Sequence, residues 1–177
     1  MLQIVLLRGI NLGPKNRVAM PALRELLGER GFEDVRTYVQ SGNIVLSSEL
    51  SPTRLATKCK RVISDGFGLD IEALVRTRDE LAEVVARNPL ARVAVNPKRY
   101  QVTFLSAELD RSQLENLEAL ATESERLVAV GREVYAWHPD GVARSKLWAR
   151  LGGKGLGVSA TSRNWSTVTT LLEMADS

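Results

Sequence analysis

The sequence predicts an α+β fold made of two ferredoxin-like subdomains, each of the βαββαβ type, with a helical C-terminus. Three observations carry that expectation. Residues 1 to 76 alternate between strand and helix patterns in the order β-α-β-β-α-β, which packs two helices on one face of an antiparallel sheet. Two Asn-Pro pairs then bracket the stretch "NPLARVAVNPKRY", and beyond it the order β-α-β-β returns. The 177 residues, 44% of them hydrophobic, suffice for a substantial buried core. The expected boundaries are an N-terminal subdomain at 1–88, a linker at 89–99 and a C-terminal α+β subdomain at 100–177.

Each element has its own local reason. Gln3 to Arg8 is a strand whose continuous Ile4-Val5-Leu6-Leu7 calls for burial on both faces. After a loop, Met20, Leu23, Leu26 and Leu27 fall at helical spacing, with Pro21 in the first turn and Gly31 as a stop. In "VRTYVQSGNIVLSS", Val35, Thr37 and Val39 alternate with Arg36, Tyr38 and Gln40, and Ser41-Gly42 separates two β-rich runs, which is a hairpin pattern. Ser51-Pro52 opens a helix with Leu55, Cys59, Val62 and Ile63 on its apolar face, and Asp70 to Arg76 alternates as a strand. Thr77 and Glu80 form a capping box for a helix through Leu81, Val84 and Val85, which Asn88-Pro89 ends.

Past the linker, "YQVTFLS" is a strand, Ser112 with Glu115 opens a helix through Leu114 and Leu117, and "RLVAVGREVYAWHP" is a second hairpin around Gly131. A short helix near Arg144 to Leu151 and the link "GGKGLG" lead to a final helix, about 162–175, with Trp165, Val168, Leu172 and Ala175 on one face. Thr161 or Ser162 is the expected N-cap, which puts Arg163 and Asn164 in the first turn of that helix.

Composition narrows the chemistry. One cysteine excludes an internal disulfide and a cysteine-rich zinc site, and one histidine removes two-histidine mechanisms and most metal triads. No apolar run approaches the length of a membrane helix, and Met1 to Ile10 has no basic leader, so the expectation is a cytoplasmic protein without a membrane partner, metal or cofactor. The net charge of +3 is unevenly placed: residues 1–24 and 141–172 hold nine bases and no acid, while the rest carries all 21 acids against 15 bases. If these ends meet, they form a positive region suited to an anion.

Three stretches, "LLRGINLG" with its following "M-P-A-L" helix, "VRTYVQSGNIV" and "ATSRNWSTVTTLL", together with the central "VTFL" strand, resemble a bacterial family known as the domain of unknown function numbered 1697. The resemblance spans nearly the whole chain. It departs at Pro14, where the family typically has a second glycine, which stiffens the loop. The resemblance implies a two-part α+β fold of ferredoxin-like character and implies no activity.

The residues themselves give the candidate sites. The opening loop fits neither a Walker phosphate loop nor a dinucleotide fingerprint, since Gly9 and Gly13 are four apart and Asn16 follows Lys15. It retains glycines, basic side chains and a helix N-terminus downstream, a generic anion-binding arrangement set against a plain strand-to-helix turn. The hairpin puts Arg36, Tyr38 and Gln40 on one sheet face, with Ser41 and Asn43 at its turn. Arg163 at the final helix's start opposes the helix dipole, so a ligand anion or an internal carboxylate is expected beside it. His138 lacks a carboxylate pattern nearby and is expected to be structural or on the surface, Cys59 is expected to be a buried inert thiol, and Glu123 to Glu125 are expected to be solvated acids.

The leading expectation is therefore an anion-binding protein whose ligand bears phosphate, either a nucleotide-like small molecule or nucleic acid, held at a basic cleft between the subdomains. Its contacting residues come from Arg8, Gly9, Asn11, Lys15, Arg36, Tyr38, Gln40, Ser41, Asn43, Arg163 and Asn164. The alternatives are a metal-independent enzyme acting on an acidic metabolite, for which no catalytic residue is identified, and an interaction protein for an acidic partner.

Overall fold

A computed structural model describes residues 1–177. The chain forms two compact units, Met1–Glu83 together with Leu171–Ser177, and Val84–Thr170. Both are mixed α+β units with a four-stranded antiparallel sheet, as the element order predicts.

The first unit runs β1 (Leu2–Leu7), α1 (Met20–Glu29), β2 (Glu33–Tyr38), β3 (Asn43–Ser47), α2 (Pro52–Phe67) and β4 (Ala73–Thr77). Its strand order is β2-β3-β1-β4, the split βαβ arrangement. β1 lies inside the sheet, with Val5 opposite Ile44 on one side and Val75 on the other. The face bearing Val5, Leu7, Ile44, Leu46 and Val75 is covered by Met20, Leu23 and Leu27 of α1 and Leu55, Cys59 and Ile63 of α2. Ser51 caps α2 by accepting from the Arg54 N–H, and Pro52 occupies its first turn, as the sequence predicts. Burial in this core pushes the Cys59 thiol up to about 12, so the reading of an inert thiol holds. β4 begins three residues later than the Asp70 start read from alternation.

α3 (Arg78–Arg87) follows, with the predicted capping box in place: Thr77 N–H donates to Glu80 Oε2 at 2.8 Å and Glu80 N–H to Thr77 Oγ1 at 3.1 Å. The second unit then comprises β5 (Tyr100–Leu105), α4 (Arg111–Leu120), β6 (Arg126–Val130), β7 (Glu133–Trp137), α5 (Lys146–Gly152) and β8 (Ala160–Asn164), in sheet order β6-β7-β5-β8. Leu105, Val134, Ala136 and Ala160 of the sheet pack with Leu117, Leu147, Leu151 and Leu156. The opposite face carries Tyr100 and Tyr135. Trp165, at the start of α6 (Trp165–Asp176), stacks on Tyr100 at 4.8 Å. The Tyr135 hydroxyl donates to Val84 O at 2.7 Å, which ties this face to α3.

Two local expectations are corrected. α4 is capped by Asp110, which accepts from the Gln113 N–H at 2.8 Å, and Ser112 lies inside the first turn. The stretch 160–164, read as the beginning of the last helix, is strand β8. Its residues pair with β5 from Leu105–Ala160 to Gln101–Asn164, and that ladder completes a second βαββαβ unit. The last turns of α6 belong to the first unit, where Asp176 Oδ1 accepts from Arg78 Nε at 2.6 Å and Ser177 Oγ from Arg36 Nη1 at 2.8 Å.

The β2–β3 turn has one steric requirement. Gly42 sits at φ +82°, its carbonyl accepts from Leu7 N–H at 2.9 Å, and a Cβ added there would stand 2.7 Å from Leu7 Cβ and 2.9 Å from Ile10 Cδ1. Gly42→Ala is expected to lower the unfolding free energy by about 2 kcal/mol or more, through left-handed strain and overpacking together. Urea denaturation of the variant beside Gly28→Ala, where a Cβ meets nothing within 4 Å, checks this.

Candidate functional site

The opening loop of the first unit leaves β1 at Leu7 and reaches α1 at Met20. It has little regular structure, so its shape depends on side chains. Asn11 supplies most of the closure: its amide donates to Val18 O at 2.8 Å and to Gln40 O at 2.7 Å, and its Oδ1 accepts from the Val18 N–H at 2.8 Å. The Asn11 N–H adds a bond to Asn16 O at 3.0 Å. Gly9, Asn11 and Asn16 all take left-handed backbone, which Gly and Asn tolerate best. Across the Asn11–Gln40 bridge, Val39 also lies at φ +50°, costly for a β-branched residue.

The loop and the hairpin turn therefore meet at one end of the sheet, and this brings together Arg8, Gly9, Asn11, Gln40 and Ser41 of the predicted set. Lys15 and Arg17 are exposed on the loop and have no carboxylate paired with them. Arg8 is turned toward Glu72, with Nη1 3.9 Å from the carboxylate. Asn43 is fully buried and donates to Tyr38 O at 3.1 Å and Ser41 Oγ at 2.9 Å, which makes it a fastener of the turn. Arg36 reaches Ser177, and Tyr38 is half-buried on the edge strand β2.

Arg163 and Asn164 belong to the second unit, and the helix-start geometry expected for them is corrected. Arg163 is a buried β8 residue opposite Val102, with Nη1 donating to Thr161 Oγ1 at 2.7 Å and Ser162 O at 2.9 Å. Burial pulls its pKa down to about 10, below the ordinary guanidinium value. Asn164 is the cap of α6, and its Oδ1 accepts from the Thr167 N–H at 2.9 Å. No cation opposes the dipole in the first turn of that helix.

A second polar constellation escaped the sequence reading. Glu125, expected to be solvated, is buried, and so is His138, which does have a carboxylate beside it: His138 Nδ1 lies 2.5 Å from Glu125 Oε2. The same oxygen accepts from Ser145 Oγ at 2.6 Å, and Glu125 Oε1 accepts from the Thr122 N–H at 3.1 Å. The signal was present in the second hairpin. Its register places Arg126 opposite Trp137, so continuing the ladder by one residue puts Glu125 opposite His138. Burial raises the Glu125 carboxyl, but hydrogen bonds from Ser145, His138 and Thr122 outweigh it and hold the group below its ordinary range.

This is not a nucleophilic triad. A serine nucleophile needs its base on the ring nitrogen opposite the carboxylate. Here Ser145 Oγ and Glu125 both approach Nδ1, while Nε2 is buried without a hydrogen-bond partner and the ring sits edge-on to Trp148. Ser145 gives its proton to a carboxylate held weakly basic and also caps α5 by accepting from the Trp148 N–H at 3.0 Å. A cavity of about 490 Å³ lies beside the cluster, lined by Thr122, Glu125, Asp140, Gly141, Ala143, Arg144 and Ser145. No group of three or more His, Cys, Asp or Glu side chains is arranged to hold a metal, and no helix is long and apolar enough to cross a membrane.

The family model described as Protein of unknown function (DUF1697) matches residues 1–135. The chain is also similar to a solved structure, that of conserved bacterial protein SP0830 from Streptococcus pneumoniae, at 25% identity and a TM-score of 0.76, covering 98% of each chain. No curated protein matches the chain.

The Glu125 cluster gives a pH dependence of definite sign. Its folded-state pKa lies below the ordinary 4.5, so its stabilisation is present above about pH 4.5 and is lost as pH falls through the lower folded value. Glu125→Gln is expected to remove this share of the acid slope. At neutral pH it should cost about 1 to 3 kcal/mol, because an amide N–H₂ then faces donors. Urea denaturation at several pH values reads both effects, and an acid slope unchanged in the variant counts against the assignment.

Proposed function

The chain belongs to the DUF1697 family, which brings no activity with it, and we propose from the geometry that its first unit binds a phosphate-bearing or other anionic ligand on the loop preceding α1. The observation that carries this reading is the start of α1. Its N-cap is Ala19, which offers no side-chain acceptor, and its first turn holds no acidic residue. Pro21 has no N–H and the Leu23 N–H bonds Ala19 O, so the N–H groups of Met20 and Ala22 and the positive end of the helix dipole are what the first turn offers an external anion. Lys15 and Arg17 approach that end along the chain with no acid among residues 1–24.

Two further features support it. Asn11 fixes the loop in advance, so a ligand does not bear the whole cost of ordering it. Gly9, Asn11 and Asn16 hold left-handed backbone, which lets the short loop fold back on itself with the Asn11 N–H bonded to Asn16 O. Arg8 contributes less, because Glu72 already draws its guanidinium.

Titration with inorganic phosphate, adenosine triphosphate and a short single-stranded oligonucleotide tests the proposal. Lys15→Ala with Arg17→Ala is expected to weaken the best of these by about tenfold or more. Ala19→Asp supplies the missing cap, so it should stabilise the protein by about 0.5 to 2 kcal/mol while weakening anion binding. A steep salt slope identifies nucleic acid as the ligand class, and a shallow one a small anion. Affinities indifferent to both variants would sink the idea.

A further inference from the structure

We propose that the cavity beside Glu125 in the second unit is a binding site for a small zwitterion, a molecule carrying both an ammonium group and a carboxylate or phosphate group. The two loops that form it are the 121–125 segment before β6 and the 138–145 segment between β7 and α5. Three side-chain links tie them together: Glu125 to His138, Glu125 to Ser145, and Ser124 Oγ to Asp140 Oδ2 at 3.3 Å. The cavity's walls are thus fixed by hydrogen bonds between the segments, in addition to the backbone turns Gly141 N–H to His138 O at 2.9 Å and Ser145 N–H to Val142 O at 3.1 Å.

The chemistry of the lining selects the ligand. Glu125 is a buried carboxylate whose side chain is only 5% exposed, yet it lines the cavity. His138 and Ser145 both bind Oε2, while Oε1 accepts one bond, from Thr122, and has capacity for another. Asp140, on the same lining, is exposed and accepts only from Ser124. The remaining charge is Arg144, exposed and without an ion pair.

With two carboxylates and one guanidinium the lining opposes an anion alone, while a cation alone pairs with the carboxylates and leaves Arg144 without a counter-charge. A molecule bearing both charges pairs with each. The volume of about 490 Å³ falls in the usual range for small-ligand sites. The carboxylate's rotamer is held before any ligand arrives, which is the condition for a precise polar contact. His138 is a positioning residue here, since it acts through Glu125 and lies outside the lining.

The test uses the whole chain and a panel of free amino acids, from glycine to arginine, with putrescine and succinate as single-sign controls. Calorimetry or ligand-observed NMR is expected to find saturable binding of at least one amino acid at millimolar concentration or below, with neither control competing. Arg144→Ala and Asp140→Asn alter exposed side chains and should leave the fold intact, and each is expected to weaken that binding by about tenfold. Failure of every amino acid to saturate overturns the proposal. So does binding of putrescine or succinate equal to that of the amino acid, or an affinity unchanged in Arg144→Ala.

Discussion

Each unit depends on its first strand being an interior one. β1 and β5 have a neighbour on both sides, and both neighbours come from later in the sequence. Burial of an interior strand leaves no water for its backbone, so every N–H and C=O must find a partner in the sheet. That requirement brings β3 and β4 to β1, and β7 and β8 to β5. The helices then have one sheet face each to cover, and the loops at the strand ends are set by where the ladders stop.

The candidate sites lie where this ladder logic ends. Beyond Leu7 the chain leaves the sheet, and Asn11 takes over closure with one side chain satisfying three backbone groups. Beyond the β6–β7 ladder, Glu125 and His138 sit at the next register position and pair by side chains. In both places an irregular segment is fixed by a polar side chain reading backbone or a buried neighbour. Shape is therefore defined while exposed bases or acids at the rim remain available.

Much of the fold was legible because it rests on local patterns. The Ile4 to Leu7 run, the Val35 to Gln40 alternation and the Thr77–Glu80 box each announce an element within a few residues. Strand β8 was not legible, because "ATSRN" has no apolar alternation and places a buried arginine where a strand ordinarily shows an aliphatic. Its identity comes from pairing with β5, some 60 residues earlier, which no local rule reports. The Glu125–His138 pair was missed for a different reason: both residues were judged by their immediate neighbours, although the hairpin around Gly131 already implied that they face each other. Asn11 and Asn43, which the sequence offers as ligand contacts, hold the loop and the turn, and polarity with turn position does not tell the two roles apart.

The division of the chain has a consequence for how it is made. The second unit is one continuous segment, whereas the first is interrupted and includes residues Leu171–Ser177. Synthesis proceeds from the N-terminus, so residues 84–170 are translated before the segment that supplies Asp176 to Arg78 and Ser177 to Arg36. The unit that begins first on the ribosome is the one finished last. Its sheet and two helices gain these last contacts only after the whole of residues 84–170 has been made.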